Sequence, residues 1–189
     1  MEKKLYTITV FSENMPGILN QITIVFTRRQ LNIETLSVSP SALKGIHKFT
    51  ITVETTLDIV RKVVTQIDKR IDVIKAYYNT DDELVVQEIA LYKVATDKVL
   101  ELGGIEQLIR KHNIRILELT PTCIVFEKTG MYEETQHLFE ELQNSIGVLQ
   151  FIRSGRVAIT KSKVERLSDM LASIEECIKQ QKTVKLIRK

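Results

Sequence analysis

No stretch of this 189-residue sequence approaches the roughly 20 consecutive apolar residues that a membrane-spanning helix needs. Cysteine is scarce. Cys123 and Cys177 lie far apart, without metal-ligand spacing, which argues for a reducing compartment and against a disulfide framework. Met1-Glu2-Lys3-Lys4 runs straight into an alternating segment and has no signal-peptide character, so the expected location is the cytoplasm. The seven glycines form neither G-x-G-x-x-G nor a Walker A loop. His47, His112 and His137 each stand without Cys, Asp or Glu at ligand spacing and read as surface or strand-end residues. Cys123, in an apolar strand, reads as a buried structural thiol. Glu133-Glu134 and Glu140-Glu141 read as the solvated face of a helix. No catalytic constellation and no metal site emerge.

What is present is the material of a soluble α+β protein: 43% apolar and 27% charged residues. The net charge of +3 is unevenly placed. Residues 161–189 hold eight Lys/Arg and four Asp/Glu, leaving 19 basic and 20 acidic residues in the first 160. A nucleic-acid-binding domain is expected to carry its positive charge on the folded body. RNA binding on a sheet also needs stacked aromatics, and the third strand offers only Phe49. Neither nucleic acid nor a membrane is expected as a partner.

Periodicity organises the chain. Residues 5–11 alternate as a strand, and Asn14-Met15-Pro16-Gly17 is a turn. Ile18, Leu19, Ile22, Val25 and Phe26 form one helical face within 17–30. Residues 33–38 are extended and end at Pro40; residues 47–54 alternate; Leu57, Val60, Val63, Val64, Ile67 and Ile71 mark a second helix; residues 73–78 close the set. Two helices on one side of a four-stranded antiparallel sheet is the economical solution for this β-α-β-β-α-β order. Residues 80–86 read as a linker. The same order then recurs: a strand from Gln87, a helix weakened by Gly103-Gly104 and starting near Ile105, strands at 114–119 and 122–128, a helix through Leu138 and Leu142, and a strand at 148–152. The expected fold is thus two tandem ferredoxin-like sandwiches, 1–79 and 87–160. Residues 161–189 are expected to form an amphipathic helical tail with a seam at Val164, Leu167, Leu171, Ile174 and Ile178.

One turn carries a chemical argument. A helix N-terminus offers unpaired N–H groups and partial positive charge suited to a carboxylate. Gly17 lets a ligand approach the backbone, and Asn14 can either cap the helix or meet a ligand's ammonium with its side-chain oxygen. Asn32 reaches the same end of the sheet only if two subunits abut.

Glu13-Asn14-Met15-Pro16-Gly17-Ile18-Leu19, followed by Leu31-Asn32-Ile33-Glu34-Thr35-Leu36, resembles the ACT domain, and more closely that of the acetolactate synthase small-subunit family. Residues 87–94, Leu119-Thr120-Pro121 and Arg153-Ser154-Gly155 are similar to that family's later motifs, in order, over about residues 3–160. The resemblance implies a non-catalytic regulatory subunit in branched-chain amino-acid synthesis. It implies a catalytic large subunit as partner, holding thiamine diphosphate, magnesium and FAD, with none of these on this chain. It further implies homodimers through the ACT domain and an effector, usually valine, held by Asn14, Gly17, Ile18 and Leu19 of one subunit and Asn32 and Ile33 of the other. Another ACT-type amino-acid sensor would share the first turn but not the later motifs. Gln21, Gln87 and residues 39–46 depart from the family's usual pattern, and the tail is longer than in short bacterial members.

Overall fold

The computed structural model of the chain describes residues 2–101 and 105–162. The expected tail helix and its seam lie outside the described residues, as do Gly103 and Gly104. The chain divides into two compact units, one holding most of residues 1–85, the other residues 86–158.

The first unit runs β1 (Lys4–Glu13), α1 (Ile18–Thr27), β2 (Thr35–Pro40), β3 (Ile46–Thr55), α2 (Leu57–Asp68), β4 (Val73–Asn79). Its sheet has the order β2-β3-β1-β4, with β1 antiparallel to both β3 and β4. Strand alternation sends Tyr6, Ile8, Val10, Phe49, Ile51 and Val53 to one face. There they meet Ile18, Ile22, Val25 and Phe26 of α1 and Val60, Val63, Val64 and Ile67 of α2. Each such side chain contributes about 1.5–3 kcal/mol when fully buried.

α1 stops at Thr27, short of the expected Gln30. Gln30 takes a left-handed conformation (φ 52°), a place where glycine is usual. The Gln30 N–H donates to Thr27 O (3.0 Å) and the Leu31 N–H to Phe26 O (3.1 Å), which satisfies two terminal carbonyls. That reversal turns Leu31 and Ile33 onto the core, so β2 begins at Thr35 and not at Ile33. β2 is an edge strand, where Pro40 can lack a donor without breaking a ladder.

The second unit repeats the topology with β5 (Leu84–Ala95), α3 (Thr96–Glu101), α4 (Ile105–His112), β6 (Arg115–Leu119), β7 (Cys123–Gly130), α5 (Tyr132–Ser145), β8 (Gln150–Arg153) and β9 (Val157–Thr160). The order β6-β7-β5-β8 matches the first sheet, and β9 adds a further pairing with β5. β5 starts three residues before Gln87, because Leu84 already points inward and a short 3₁₀ turn over Asp81–Glu83 fills part of the stretch read as linker. Its core joins Ala90, Tyr92, Val94, Ile124 and Phe126 to Leu138 and Leu142 of α5. The chain is therefore an α+β protein with two βαββαβ sandwiches, as the periodicity predicts.

Candidate functional site

The turn between β1 and α1 is fixed from two sides. The Glu13 N–H donates to Asp72 O (3.1 Å), and the Asn14 N–H donates to Gly45 O (3.0 Å). Gln21 Nε2 adds a hydrogen bond to Asp72 Oδ2 (3.4 Å). Gly17 stands at the N-cap of α1 with φ 87° and no side-chain cap. The backbone there favours glycine, and no atom lies within 4 Å of where a Cβ would point, so the space above Gly17 is open.

Capping was the competing role for Asn14, and it does not fill it: Gly17 is the N-cap, and among the described residues the exposed Asn14 side chain makes no hydrogen bond. The first turn of α1 also has no acidic residue to occupy the site. The Gln21 N–H reaches Gly17 O (3.1 Å), while the Leu19 and Asn20 N–H groups find no backbone acceptor among the described residues. Open donors, a partial positive charge and a free amide side chain make a place for a carboxylate and an ammonium group.

The six sequence-derived residues do not all converge in one chain. Asn14, Gly17 and Leu19 (43% exposed) share the open end. Ile18 is buried in the core, so its side chain faces away from the turn's outer surface. Asn32 and Ile33 sit elsewhere. The Glu34 N–H donates to Thr52 O, and Thr52 pairs with Thr7, whereas the turn follows Glu13, which pairs with Ile46. That places Glu34 level with Thr7, six residues along β1 from the turn, about 20 Å at strand spacing, and Asn32 precedes Glu34 by two residues at that same far end. Asn32 Nδ2 donates to Glu34 Oε1 (3.2 Å), and Ile33 packs on the core.

The second unit holds two polar clusters that the spacing did not reveal. Arg153 Nε lies 3.3 Å from Oε2 of the buried Glu88, and Arg153 Nη2 donates to Gln136 Oε1 (3.1 Å). The guanidinium stacks 4.3 Å from the Tyr132 ring centre. Burial pushes the Glu88 carboxyl above its ordinary range, with Arg153 and then Arg156 pulling it back. Tyr92, buried beside them, donates to Thr135 O (2.7 Å), and burial pushes its hydroxyl up to about 12.

The other cluster corrects the reading of His112 and of Glu141. Glu141 accepts from Lys111 Nζ (2.7 and 2.8 Å), and its Oε2 lies 2.9 Å from His112 Nε2 and 4.0 Å from His137 Nε2. Burial lowers the His112 pKa, and the Lys111 hydrogen bond lowers that of Glu141. Glu134 is likewise not merely solvated: it accepts from the Met131 N–H (2.9 Å) at the start of α5. Cys123 is half-buried, with its sulfur 3.3 Å from Thr120 Oγ1. Among the described residues no group of three His, Cys, Asp or Glu could hold a metal ion.

Comparison with known proteins now adds to the geometry. Residues 8–75 match the family model described as the AHAS small subunit-like ACT domain, and residues 87–162 match the one described as the small subunit of acetolactate synthase. The acetolactate synthase small subunit of Bacillus subtilis is 31% identical over 170 residues, covering 88% of this chain and 95% of that protein. A probable acetolactate synthase small subunit of Methanothermobacter thermautotrophicus is 30% identical over 161 residues, covering 85% and 95%. The crystal structure of the acetolactate synthase small subunit from Thermotoga maritima has the same fold, with a TM-score of 0.76 at 23% identity over 85% of this chain and 99% of that one. Two family matches in series and full-length relatives on the same two-sandwich fold lead to one conclusion: the chain belongs to the acetolactate synthase small-subunit family.

Proposed function

We propose that this chain is a cytoplasmic, non-catalytic regulatory subunit that binds the catalytic large subunit of acetolactate synthase, raises its activity and confers feedback inhibition by a branched-chain amino acid. Thiamine diphosphate, magnesium and FAD belong to that partner. The pathway is the synthesis of valine, leucine and isoleucine, and the effector is valine or a near relative. The observation that carries the reading is the open N-terminus of α1 at Gly17, with Asn14 exposed and uncommitted beside it.

In this reading the effector carboxylate accepts from the free N–H groups of Leu19 and Asn20, and the Asn14 side-chain oxygen accepts from the effector ammonium. The exposed Leu19 side chain walls the aliphatic group. Asn32 enters from a second copy, because it lies too far along the strand to do so within one chain; Ile33 supports it from the core. Ile18 acts through the packing of α1 and not by touching the effector.

The test is reconstitution with the large subunit and titration with valine. A hydrogen bond to a charged group contributes about 1.5–3 kcal/mol, roughly ten- to a hundred-fold in affinity. Asn14→Ala is expected to weaken inhibition by that factor while leaving activation intact. Gly17→Asp is expected to abolish inhibition, because a carboxylate then stands where the effector's belongs. Wild-type valine response in both variants would place the effector elsewhere.

A further inference from the structure

A carboxylate stands near the positive end of α1 with no cation to answer it. Asp72, the residue before β4, is half-buried. Its backbone oxygen accepts from the Glu13 N–H, immediately before the Asn14 turn, and its Oδ2 accepts from Gln21 Nε2 at 3.4 Å. Gln21 is the fourth residue of α1, and its own N–H donates to Gly17 O (3.1 Å). The Asp72 side chain is thus held at the first turn of the helix, about 6 Å of helix axis from Gly17. Among the described residues no Lys, Arg or His pairs with it, and the neighbouring Lys75 is taken by Asp68 (3.2 Å). Glutamine donates a neutral hydrogen bond, so it fixes the carboxylate without cancelling its charge. Glu13, the other acid beside the turn, is exposed and follows Phe11 at strand alternation, which puts it on the sheet face away from the helices.

We propose that Asp72 is the charge-selecting residue of the effector site at Gly17: its carboxylate, held there by Gln21, admits a net-neutral amino-acid zwitterion and disfavours a monoanion with the same carboxylate and side chain. The assignment rests on the effector reading given above. A ligand carboxylate at the free N–H groups of Leu19 and Asn20 lies about one helical turn from Asp72. That is inside the Debye length of about 10 Å at 0.1 M salt, so the two negative charges repel. An amino acid brings an ammonium group that the same carboxylate attracts, and the two effects offset. A simple carboxylic acid brings none. Open N–H groups at a helix end favour any anion, and Asn14 adds a neutral acceptor without a charge. Asp72 is what tells an amino acid from other small acids there, by repelling the wrong ligand as much as by attracting the right one.

Valine and isovalerate (3-methylbutanoate) differ only in that ammonium group. With the purified full chain, direct binding of labelled valine and its displacement by isovalerate give both dissociation constants. Asp72→Asn keeps an acceptor for Gln21 and removes the charge. It is expected to narrow the preference for valine over isovalerate several-fold at low ionic strength, with the change shrinking in 1 M salt, where the Debye length is about 3 Å. Gln21→Lys, which pairs with Asp72, is expected to narrow the preference likewise, and Gln21→Glu to widen it. Gln21 is only half-buried, so these two variants carry the test if Asp72→Asn folds poorly. A carboxylate near a helix N-terminus also stabilises the helix. That role alone would shift both constants together, and an unchanged ratio in the variants would overturn the assignment. So would isovalerate that displaces no valine from Asp72→Asn and Gln21→Lys. A wild-type chain that binds no valine would instead overturn the effector reading itself, and this assignment with it.

Discussion

At the scale of single residues, the motifs that mark the family are a mixture of site and scaffold. Arg153-Ser154-Gly155 reads in the sequence only as a signature. In the structure, Arg153 faces the buried Glu88, Ser154 Oγ accepts from the Ile89 N–H (3.0 Å), and Gly155 takes φ 76°. All three lie at the end of β8, where the chain turns toward β9. Truncating one member of a buried ion pair leaves the other charge stranded, at a cost of about 3–5 kcal/mol. Arg153→Met is therefore expected to lower the urea midpoint sharply. Glu88→Gln combined with it is expected to restore much of the loss, because the stranded charge is gone. Equal loss in single and double variants would mean that the stacking on Tyr132 matters and the ion pair does not. Gly17 behaves differently. Its left-handed backbone makes an L-residue there cost about 1–2 kcal/mol, yet a Cβ meets nothing, so Gly17→Ala is expected to fold with that small penalty and no more. A loss much beyond it, measured by thermal unfolding, would show that the space above Gly17 is not open.

At the scale of elements, strand and helix type were legible because both sandwiches follow strict periods of 2 and 3.6. Boundaries were less so. α1 ends on the left-handed Gln30, and glutamine gives no sequence signal for that conformation. β9 is a four-residue strand whose existence depends on pairing with β5, a long-range contact that no local pattern announces. The packing of α4 against α5 was equally hidden, and it has a pH consequence. His112 at the end of α4 faces Glu141 and His137 of α5, with Lys111 on the same carboxylate and Lys128 Nζ on its own carbonyl oxygen (2.7 Å). Its pKa is held below the ordinary histidine value of about 6.5, chiefly by burial, so the unfolded chain takes up a proton before the folded one does. Stability is then expected to fall as pH drops below about 6.5. Glu141 acts in a lower window: its depressed pKa stabilises the fold above 4.5 and that contribution is lost as pH falls through the folded-state value. His112→Gln is expected to flatten the upper window alone. Urea midpoints that fall as much between about pH 7.5 and pH 5.5 in the variant as in the wild type would refute the assignment to His112.

At the scale of the whole molecule, the repeat of one topology was readable from order alone, although the halves share little sequence. The proposed effector site was readable only in part. Asn14, Gly17 and Leu19 stand together as spacing suggested, whereas the distance from that turn to Asn32 follows from strand register, which no single segment encodes. An exposed edge strand and a half-built site both argue for pairing, so the chain is expected to be a homodimer through residues 1–79. Light scattering that finds only monomer at micromolar concentration, for the full chain and for residues 1–79 alike, would contradict this. The purified chain alone is expected to form no acetolactate, and measurable product would refute a purely regulatory role.

Under the proposed function, the separation of Asn14 from Asn32 would also join two equilibria. Where each chain supplies half of a binding site, the effector binds the pair more tightly than the single chain, and by reciprocity it must tighten the pair by the same factor. The dissociation constant for the proposed effector would then depend on how much of the subunit is present, and the fraction of subunit that is paired would depend on how much effector is present. A cell making little of this subunit would carry a synthase that is both less activated and less sensitive. Feedback would sharpen as the subunit accumulates, with no change in any residue that touches the effector.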